Sequence, residues 1–328
     1  MPDAADSIVP SPSADAQYTG LKQLAELTPI DWEYVNPLLH ETALRLGEES
    51  LAKAWNSAVS PRLPLRSWIL SLSVPWWASE LVNSRLDPSL LLLLTRTQAQ
   101  VTCYVKVADD LTDHSAELNP AAAKTLTRLL SLIFDIHIGL SRLFEVSSPF
   151  WSDFQRLLDE QSRALEWEIS HRSGLPAELT RESLLMLGRK AALLRWPAVA
   201  IPQLVGQADC RARVDGMFDQ FFRIMQLLDD MVDVEEDMVS GQPNAVAMAL
   251  GERYYGSPKI PSAIECVADI AKSECRQLRS SVDSAPTFFA KTCAYLESCV
   301  EITRRNCLAI WELKAAIAIS DTLCGIDV

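Results

Sequence analysis

Two long apolar stretches of this chain end in the same acidic pattern, an aspartate pair followed three positions later by another aspartate. The first copy is Asp109-Asp110-Leu111-Thr112-Asp113, and the second, 120 positions later, is Asp229-Asp230-Met231-Val232-Asp233. Residues i and i+4 share one face of an α-helix, so the outer aspartates of each copy point the same way. Asp237 continues the second spacing by one more turn. The pattern predicts two helices that each present carboxylates at one end.

Carboxylates crowded on one helix face repel one another unless a cation lies between them. Hard oxygen ligands suit Mg²⁺, which keeps several waters and commonly bridges substrate phosphates. A single acidic pattern of this kind is more often a solvated helix face, and this protein is acidic throughout. Two copies that each follow apolar helix favour a site for a magnesium-bound phosphate ester.

The composition predicts an all-α protein. Hydrophobic residues make up 48% of the 328 residues, only 11 are Gly, and Leu and Ala dominate the apolar set. Alternation of β-branched and aromatic residues is scarce, which argues against a sheet. Residues 1–17 are rich in Ser, Pro, Asp and Ala and are expected to be a disordered tail. Without an internal repeat or linker, residues 18–328 are predicted to form one helical bundle of about ten to twelve helices.

Charge and apolar patterning exclude several classes of function. The chain has 30 Lys and Arg against 43 Asp and Glu, a net charge of −13, which argues against non-specific nucleic-acid binding. No apolar run reaches the ~18–20 residues that cross a bilayer, and the N-terminus lacks a signal-peptide pattern. The eight cysteines form no CxxC pair and no zinc spacing. A reducing cytoplasm is therefore the expected location.

Proline and capping residues predict where the helices begin and end. Asp87-Pro88 combines an N-cap with Pro at the first helical position. The predicted helices are Pro88 to about Asp113, Pro120 to about Ser147, Pro149 to Ser170, Glu178 to about Ala208, Asp215 to Met238, and two or three more after Ile260. The fourth contains Pro197 and Pro202, each of which is expected to kink or break it.

Two blocks of sequence carry a resemblance to a known superfamily. The run from Met225 to Val234, with Gln226 three residues before Asp229, resembles the second aspartate-rich helix of trans-prenyl diphosphate synthases. The run Arg189-Lys190-Ala191-Ala192-Leu193-Leu194 resembles the helix that contacts the allylic diphosphate in those enzymes, with Ala where they have Thr. The order and spacing of the blocks match over roughly Arg62 to Leu250. The chain thus resembles the class I isoprenoid synthases, which include terpene cyclases.

The resemblance implies a fold, a cofactor and a set of site residues. The fold would be the single large helical bundle of the class I isoprenoid and terpene synthase type. Three Mg²⁺ ions would lie between Asp109, Asp110 and Asp113 on one side and Asp229, Asp233 and Asp237 on the other. Lys190, Gln226, Asp230 and Arg66 would contact the diphosphate. Asp109, Asp113, Asp229 and Lys190 would be the catalytic residues.

The hydrocarbon part of a substrate needs an apolar pocket near the aspartates. Phe222 and Met225 precede Asp229 by seven and four residues and share its helix face. Tyr104, five residues before Asp109, is expected near the floor of this pocket, and Trp196 beside the helix break at Pro197. The aromatic rings of Phe222, Tyr104 and Trp196 would stabilise a carbocation by cation–π contact. For each aromatic residue, ordinary core packing is an equally good explanation.

Departures from the prenyl-synthase pattern bear on the type of reaction. The segment 60–67 keeps Arg66 but lacks the Lys-Arg pair of the family, and residues 114–118 and 240–244 lack the cations expected after each acidic motif. A second diphosphate would be poorly compensated in such an acidic site. The sequence therefore predicts a terpene synthase that ionises one allylic prenyl diphosphate of C15 or C20. A prenyltransferase and a non-catalytic subunit of one remain as alternatives, and a homodimer is expected.

Overall fold

Helices account for every regular element in the described residues. The computed structural model describes residues 70–113, 120–172, 178–251, 257–282 and 287–323. The α-helices are α1 Val74–Leu81, α2 Pro88–Asp113, α3 Pro120–Leu140, α4 Phe150–Ser170, α5 Arg181–Arg189, α6 Trp196–Leu204, α7 Arg211–Val232, α8 Val234–Ser240, α9 Ala245–Leu250, α10 Ile260–Ser281 and α11 Phe288–Leu323. Short 3₁₀ turns lie at Ala192–Arg195 and Ala208–Cys210. The prediction of an all-α chain is confirmed for these residues.

The expected N-terminal tail at 1–17 and the single-domain boundary at residue 18 lie outside the described residues, as does Arg66. The backbone at Asp110 and Asp113 belongs to α2, but the side chains of these two residues lie outside the description. No helix among the described residues is long and apolar enough to cross a membrane.

Helix α7 lies at the centre of the bundle. It packs against α5, α6, α10 and α11. Its buried aromatic side chains Phe218 and Phe221 meet Trp77 of α1 and Phe289 of α11, with the rings of Trp77 and Phe221 centred 5.4 Å apart. Burial of rings of this size contributes strongly to a core. The aromatic cluster fixes the position of α7, the helix that carries Asp229.

The start of α2 follows the predicted capping pattern. The backbone N–H of Ser89 donates to the Asp87 carboxylate at 2.8 Å, and Pro88 is the first helical residue. The helix then continues to Asp113, as predicted. Helix α3 is shorter than predicted, because it ends at Leu140 instead of near Ser147. There the chain turns back so that Phe144 stacks on Phe150, with the ring centres 3.9 Å apart.

The predicted helix from Glu178 to Ala208 is wrong as a single element. Its backbone leaves regular α-helix at Lys190, before either proline, and passes through the 3₁₀ turn to α6. Pro197 then occupies the first turn of α6, and Pro202 lies inside that helix. Pro197 would clash with the carbonyl of Leu193, so a regular α-helix cannot continue through these residues. A proline at the start of a helix is tolerated. The expected break at Pro202 is wrong, because α6 continues through it to Leu204.

The predicted helix from Asp215 to Met238 is also divided. Helix α7 ends at Val232, and α8 begins at Val234. The cause is Asn244, whose side-chain N–H donates to the backbone carbonyl of Asp230 at 2.8 Å. In a continuous helix that carbonyl would accept from the backbone N–H of residue 234. The second acidic motif therefore extends across a bend.

Candidate active site

One cavity lies between the two acidic helices. Asp109 of α2 and Asp229 of α7 both line it. Its other polar residues are Lys190, Gln226 and Ser71, and its apolar residues are Val105, Ala191, Leu194, Phe222 and Met225. Carboxylates 120 positions apart are thus brought to one space by the packing of helices, as the two motifs predict.

The helix break after α5 brings Lys190 into this cavity. The following 3₁₀ turn is clamped by Arg195, which is only 3% exposed and donates to Glu160 of α4 and Asp219 of α7. The backbone N–H of Leu193 also donates to the buried Gln161 side chain at 3.3 Å. Ion pairs and hydrogen bonds from two neighbouring helices therefore fix the backbone that carries Lys190.

Lys190 is held by carboxylates on two sides. Its Nζ donates to Glu168 Oε1 at 3.0 Å and lies 4.0 Å from Asp109 Oδ1. Burial lowers the pKa of Lys190, but the charges of Asp109, Glu168 and Asp230 outweigh it and leave that pKa above its ordinary value. Lys190 is therefore a protonated, positively charged group at neutral pH, beside the first acidic motif.

The second acidic motif carries more negative charge than its surroundings compensate. Asp229 touches solvent, yet the surrounding protein removes enough hydration to raise its pKa, and Asp109 adds repulsion that Lys190 and Lys106 oppose. Burial raises the pKa of Asp233 to about 7, with Asp229 and Asp237 contributing. Crowded carboxylates with raised pKa values are typical of a site that takes up a cation.

Asp230 has a different position from Asp229, the residue before it. Its side chain is 2% exposed and does not line the cavity. The carboxylate accepts from Gln226 Nε2 at 2.7 Å and from the backbone N–H of Ala245 at 2.8 Å. Burial raises its pKa to about 8. The structure does not bring Asp230 to the cavity, because its Oδ1 accepts from Gln226 of α7 and its Oδ2 accepts from the first residue of α9.

Four more predicted site residues are not among those that line the cavity. Asp233 lies at the bend after α7, four residues beyond Asp229. Asp237 follows the bend in α8, and its carboxylate accepts from Asn244 Nδ2 at 2.7 Å. Trp196 is fully buried in the core and does not line the cavity. Tyr104 is half-buried and packs against the core instead. By contrast, Phe222 and Met225 line the cavity as predicted, together with Gln226.

The sequence analysis missed two charged residues near the site: Glu168 on α4 and Arg172 just after this helix ends. Glu168 is fully buried, and its Oε2 has no hydrogen-bond partner among the described residues. Arg172 donates from Nη1 to the backbone carbonyl of Thr112, inside the first acidic motif. One signal for Glu168 was available, since residues 154, 157, 161, 164 and 168 form the buried stripe of α4. A carboxylate on such a stripe needs a cationic partner.

The side-chain oxygens at this site are of the type that Mg²⁺ binds. The accessible ligands are carboxylate oxygens, which Mg²⁺ prefers, and their mutual repulsion would be relieved by a divalent ion. Among the described side chains, no three His, Cys, Asp or Glu residues already form a metal site. Mg²⁺ usually completes its coordination with water or substrate oxygens.

Comparison of the chain with protein-family models gives no match, and comparison with curated proteins gives no significant similarity. The residues of the cavity are therefore the basis for assigning a function.

Proposed function

We propose that this chain is a class I isoprenoid synthase that ionises an allylic prenyl diphosphate of C15 or C20 and cyclises or quenches the resulting carbocation. One observation carries the proposal: carboxylates from both acidic motifs and the cation of Lys190 line one cavity whose remaining wall is mostly apolar. A charged end would hold a diphosphate, and an apolar end would hold a prenyl chain. The class I isoprenoid synthase bundle is part of this proposal.

In the proposed reaction, Asp109, Asp229 and Asp233 would hold Mg²⁺, together with Asp110 and Asp113, which the resemblance adds. Bound Mg²⁺ would neutralise the negative charge that develops on the diphosphate. Lys190 and Gln226 would hold diphosphate oxygens at the cavity mouth. A fixed cation in a poorly hydrated site stabilises such charge more than water does. The side chains of Phe222, Met225 and Leu194 would keep bulk water from the carbocation.

Incubation of the purified protein with Mg²⁺ and C10, C15, C20 and C25 prenyl diphosphates tests the proposal. We expect release of inorganic diphosphate and a hydrocarbon or alcohol from one of them. Asp109→Asn or Asp229→Asn should reduce this release by about 10²-fold or more, the range for loss of one preorganised group. Asp269→Asn on the exposed face of α10 is the matched control. Equal release by all variants would refute the assignment of the site.

A chain-elongating prenyltransferase is the second candidate, and Arg172 favours it. Prenyl synthases have arginines after the first motif, which this sequence lacks, but Arg172 reaches Thr112 from the end of α4. That guanidinium would add positive charge near the first acidic motif. Addition of isopentenyl diphosphate separates the candidates: a cyclase would keep its rate and product, whereas an elongating enzyme would make a longer prenyl diphosphate. A non-catalytic subunit would release no diphosphate under either condition.

We further propose that α3 pairs with α3 of a second copy. The described part of the fold packs α3 mainly on α2, and a row of large apolar side chains on α3 is exposed. They are Leu126, Leu130, Phe134 and Ile138, which are 44%, 64%, 67% and 52% exposed. Their even spacing of four lets two copies pack antiparallel, with Leu130 facing Phe134 of the second copy. A contiguous apolar row of this kind marks an interaction surface.

A further inference from the structure

Ser71 supplies the one hydroxyl among the described residues that line the cavity. It lines the cavity and is 1% exposed. The hydroxyl of Ser71 lies 3.2 Å from the hydroxyl of Thr102 on α2, which is fully buried. On α2, Thr102 precedes Asp109 by seven residues, or about 10 Å of helix at 1.5 Å per residue. The hydroxyl pair is thus about two helical turns from Asp109.

A third polar residue belongs to the same patch. Gln98 lies one turn before Thr102 on α2 and is fully buried. Its Nε2 donates to the backbone carbonyl of Ser71 at 2.9 Å and to that of Leu194 at 3.1 Å. These two acceptors fix the orientation of the amide, because a flipped amide would place its oxygen against both carbonyls. Gln98 Oε1 is left without a hydrogen-bond partner among the described residues.

A buried acceptor without a protein partner is commonly met by an ordered water, which needs two to four polar contacts. Gln98 Oε1 can accept a hydrogen bond from a water, and the hydroxyl oxygens of Ser71 and Thr102 can accept another besides the bond that joins them. We infer that these three residues bind a water molecule at the cavity wall, and that this water captures the carbocation, so the product is an alcohol. The inference rests on the proposed function.

The chemistry of this capture balances. The C–O bond to diphosphate breaks first and leaves its electron pair on the diphosphate. A lone pair of the bound water then forms a new C–O bond to the cationic carbon. The resulting oxonium loses one proton, which ends on the departing diphosphate, the base that the reaction itself produces. Allylic diphosphate and water are thus converted to alcohol and protonated inorganic diphosphate, with no oxidant or reductant.

Product analysis in H₂¹⁸O tests the inference. We expect the unmodified protein to give an alcohol that carries ¹⁸O. Ser71→Ala and Thr102→Val should each shift the ratio of alcohol to hydrocarbon toward hydrocarbon by about tenfold, a change equivalent to ~1.4 kcal/mol. Thr95→Val is the matched control, because Thr95 is a buried threonine of α2 that does not line the cavity and donates to the Leu91 carbonyl. Its product ratio should not change.

The outcomes separate this inference from the proposed function. Diphosphate release with an oxygen-free product, or an unchanged ratio in both variants, would overturn the inference and leave the proposed function intact. No diphosphate release from any prenyl diphosphate would overturn both. A crystal structure of the unmodified protein gives a test that does not depend on activity or on the folding of a variant. Ordered water density at Gln98 Oε1 is expected, and its absence would overturn the water site.

Discussion

Lys190 connects the chemistry of the site to the stability of the fold. Its partner Glu168 has a fully buried side chain, and Lys190 itself is 13% exposed. Removal of one member of a buried ion pair leaves the other charge without compensation, which commonly costs ~3–5 kcal/mol. Replacement of both members by apolar residues is often neutral. The contribution of the pair is therefore measured by comparing single and double variants.

We expect Lys190→Met to lower the free energy of unfolding by ~3–5 kcal/mol, because Glu168 is left charged in the core. The double variant Lys190→Met/Glu168→Leu should recover most of this loss while remaining unable to release diphosphate. Urea denaturation gives the stabilities, and a phosphate assay gives the activity. A single variant as stable as the unmodified protein would show that the pair does not form.

At the scale of elements, the close approach of α5 and α7 sets the position of Lys190. Gly188 lies two residues before Lys190, and a Cβ added there would meet Arg223 Cα and Cβ at 3.0 Å. Because one of these atoms is backbone, the two helices would have to separate. Gly216 on α7 offers the opposite case, since a Cβ added at Gly216 would meet nothing within 4 Å. The two glycines form a matched pair.

Gly188→Ala should destabilise the protein and displace Lys190. Overpacking costs ~1–3 kcal/mol, which exceeds or offsets the helix-propensity gain of ~1 kcal/mol. Gly216→Ala should gain about that propensity term. Thermal unfolding of both variants, with diphosphate release as a second readout, checks the expectation. Equal stabilisation by both substitutions would rule out a tight α5–α7 contact.

The bend after α7 gives the metal-free protein a specific pH dependence. The pKa of Asp233 is raised from 3.8 to about 7, so the folded state retains a proton that the unfolded state releases. The stability that Asp233 contributes is fully present below its pKa in the unfolded state. It is lost as the pH rises through its pKa in the folded state. In EDTA, we therefore expect the urea concentration at the unfolding midpoint to decrease as the pH is raised from about 5 to about 8.

Asp233→Asn should reduce this dependence, because the amide does not titrate, while Asp230 with its pKa raised to about 8 still contributes. Near pH 5 the variant should be as stable to urea as the unmodified protein. Near pH 8 it should be more stable than the unmodified protein. An unmodified protein that gains stability across the same interval would contradict the raised pKa.

At the scale of the whole molecule, the exposed row on α3 determines the expected assembly. Leu130→Glu/Phe134→Glu would bury four carboxylates in the proposed two-fold interface, at a cost that an isolated copy does not bear. We expect sedimentation velocity to give a dimer for the unmodified protein and a monomer for the double variant. Val146→Glu is the control, since Val146 is 94% exposed and lies outside α3. A monomeric unmodified protein would refute the proposed pairing.

Local sequence patterns determined the helical class, the cap at Asp87, the extent of α2 and the helix faces that carry Asp109 and Asp229. These features depend on residues within one or two turns of each other, so periodicity and capping predict them. The same local spacing placed Phe222, Met225 and Gln226 with Asp229, and all three line the cavity. The sequence also predicted a break near Pro197.

Contacts between distant residues decided the rest. Asn244 takes the carbonyl of Asp230 and bends the helix that periodicity predicts as continuous. Asp230 anchors α9 instead of facing the cavity, although the motif gives it the same chemistry as Asp229. Glu168 reaches Lys190 from 22 positions away, and Gln98 reaches Leu194 from 96. Sequence spacing records which residues share a face, but only tertiary packing decides which partner each buried polar group meets.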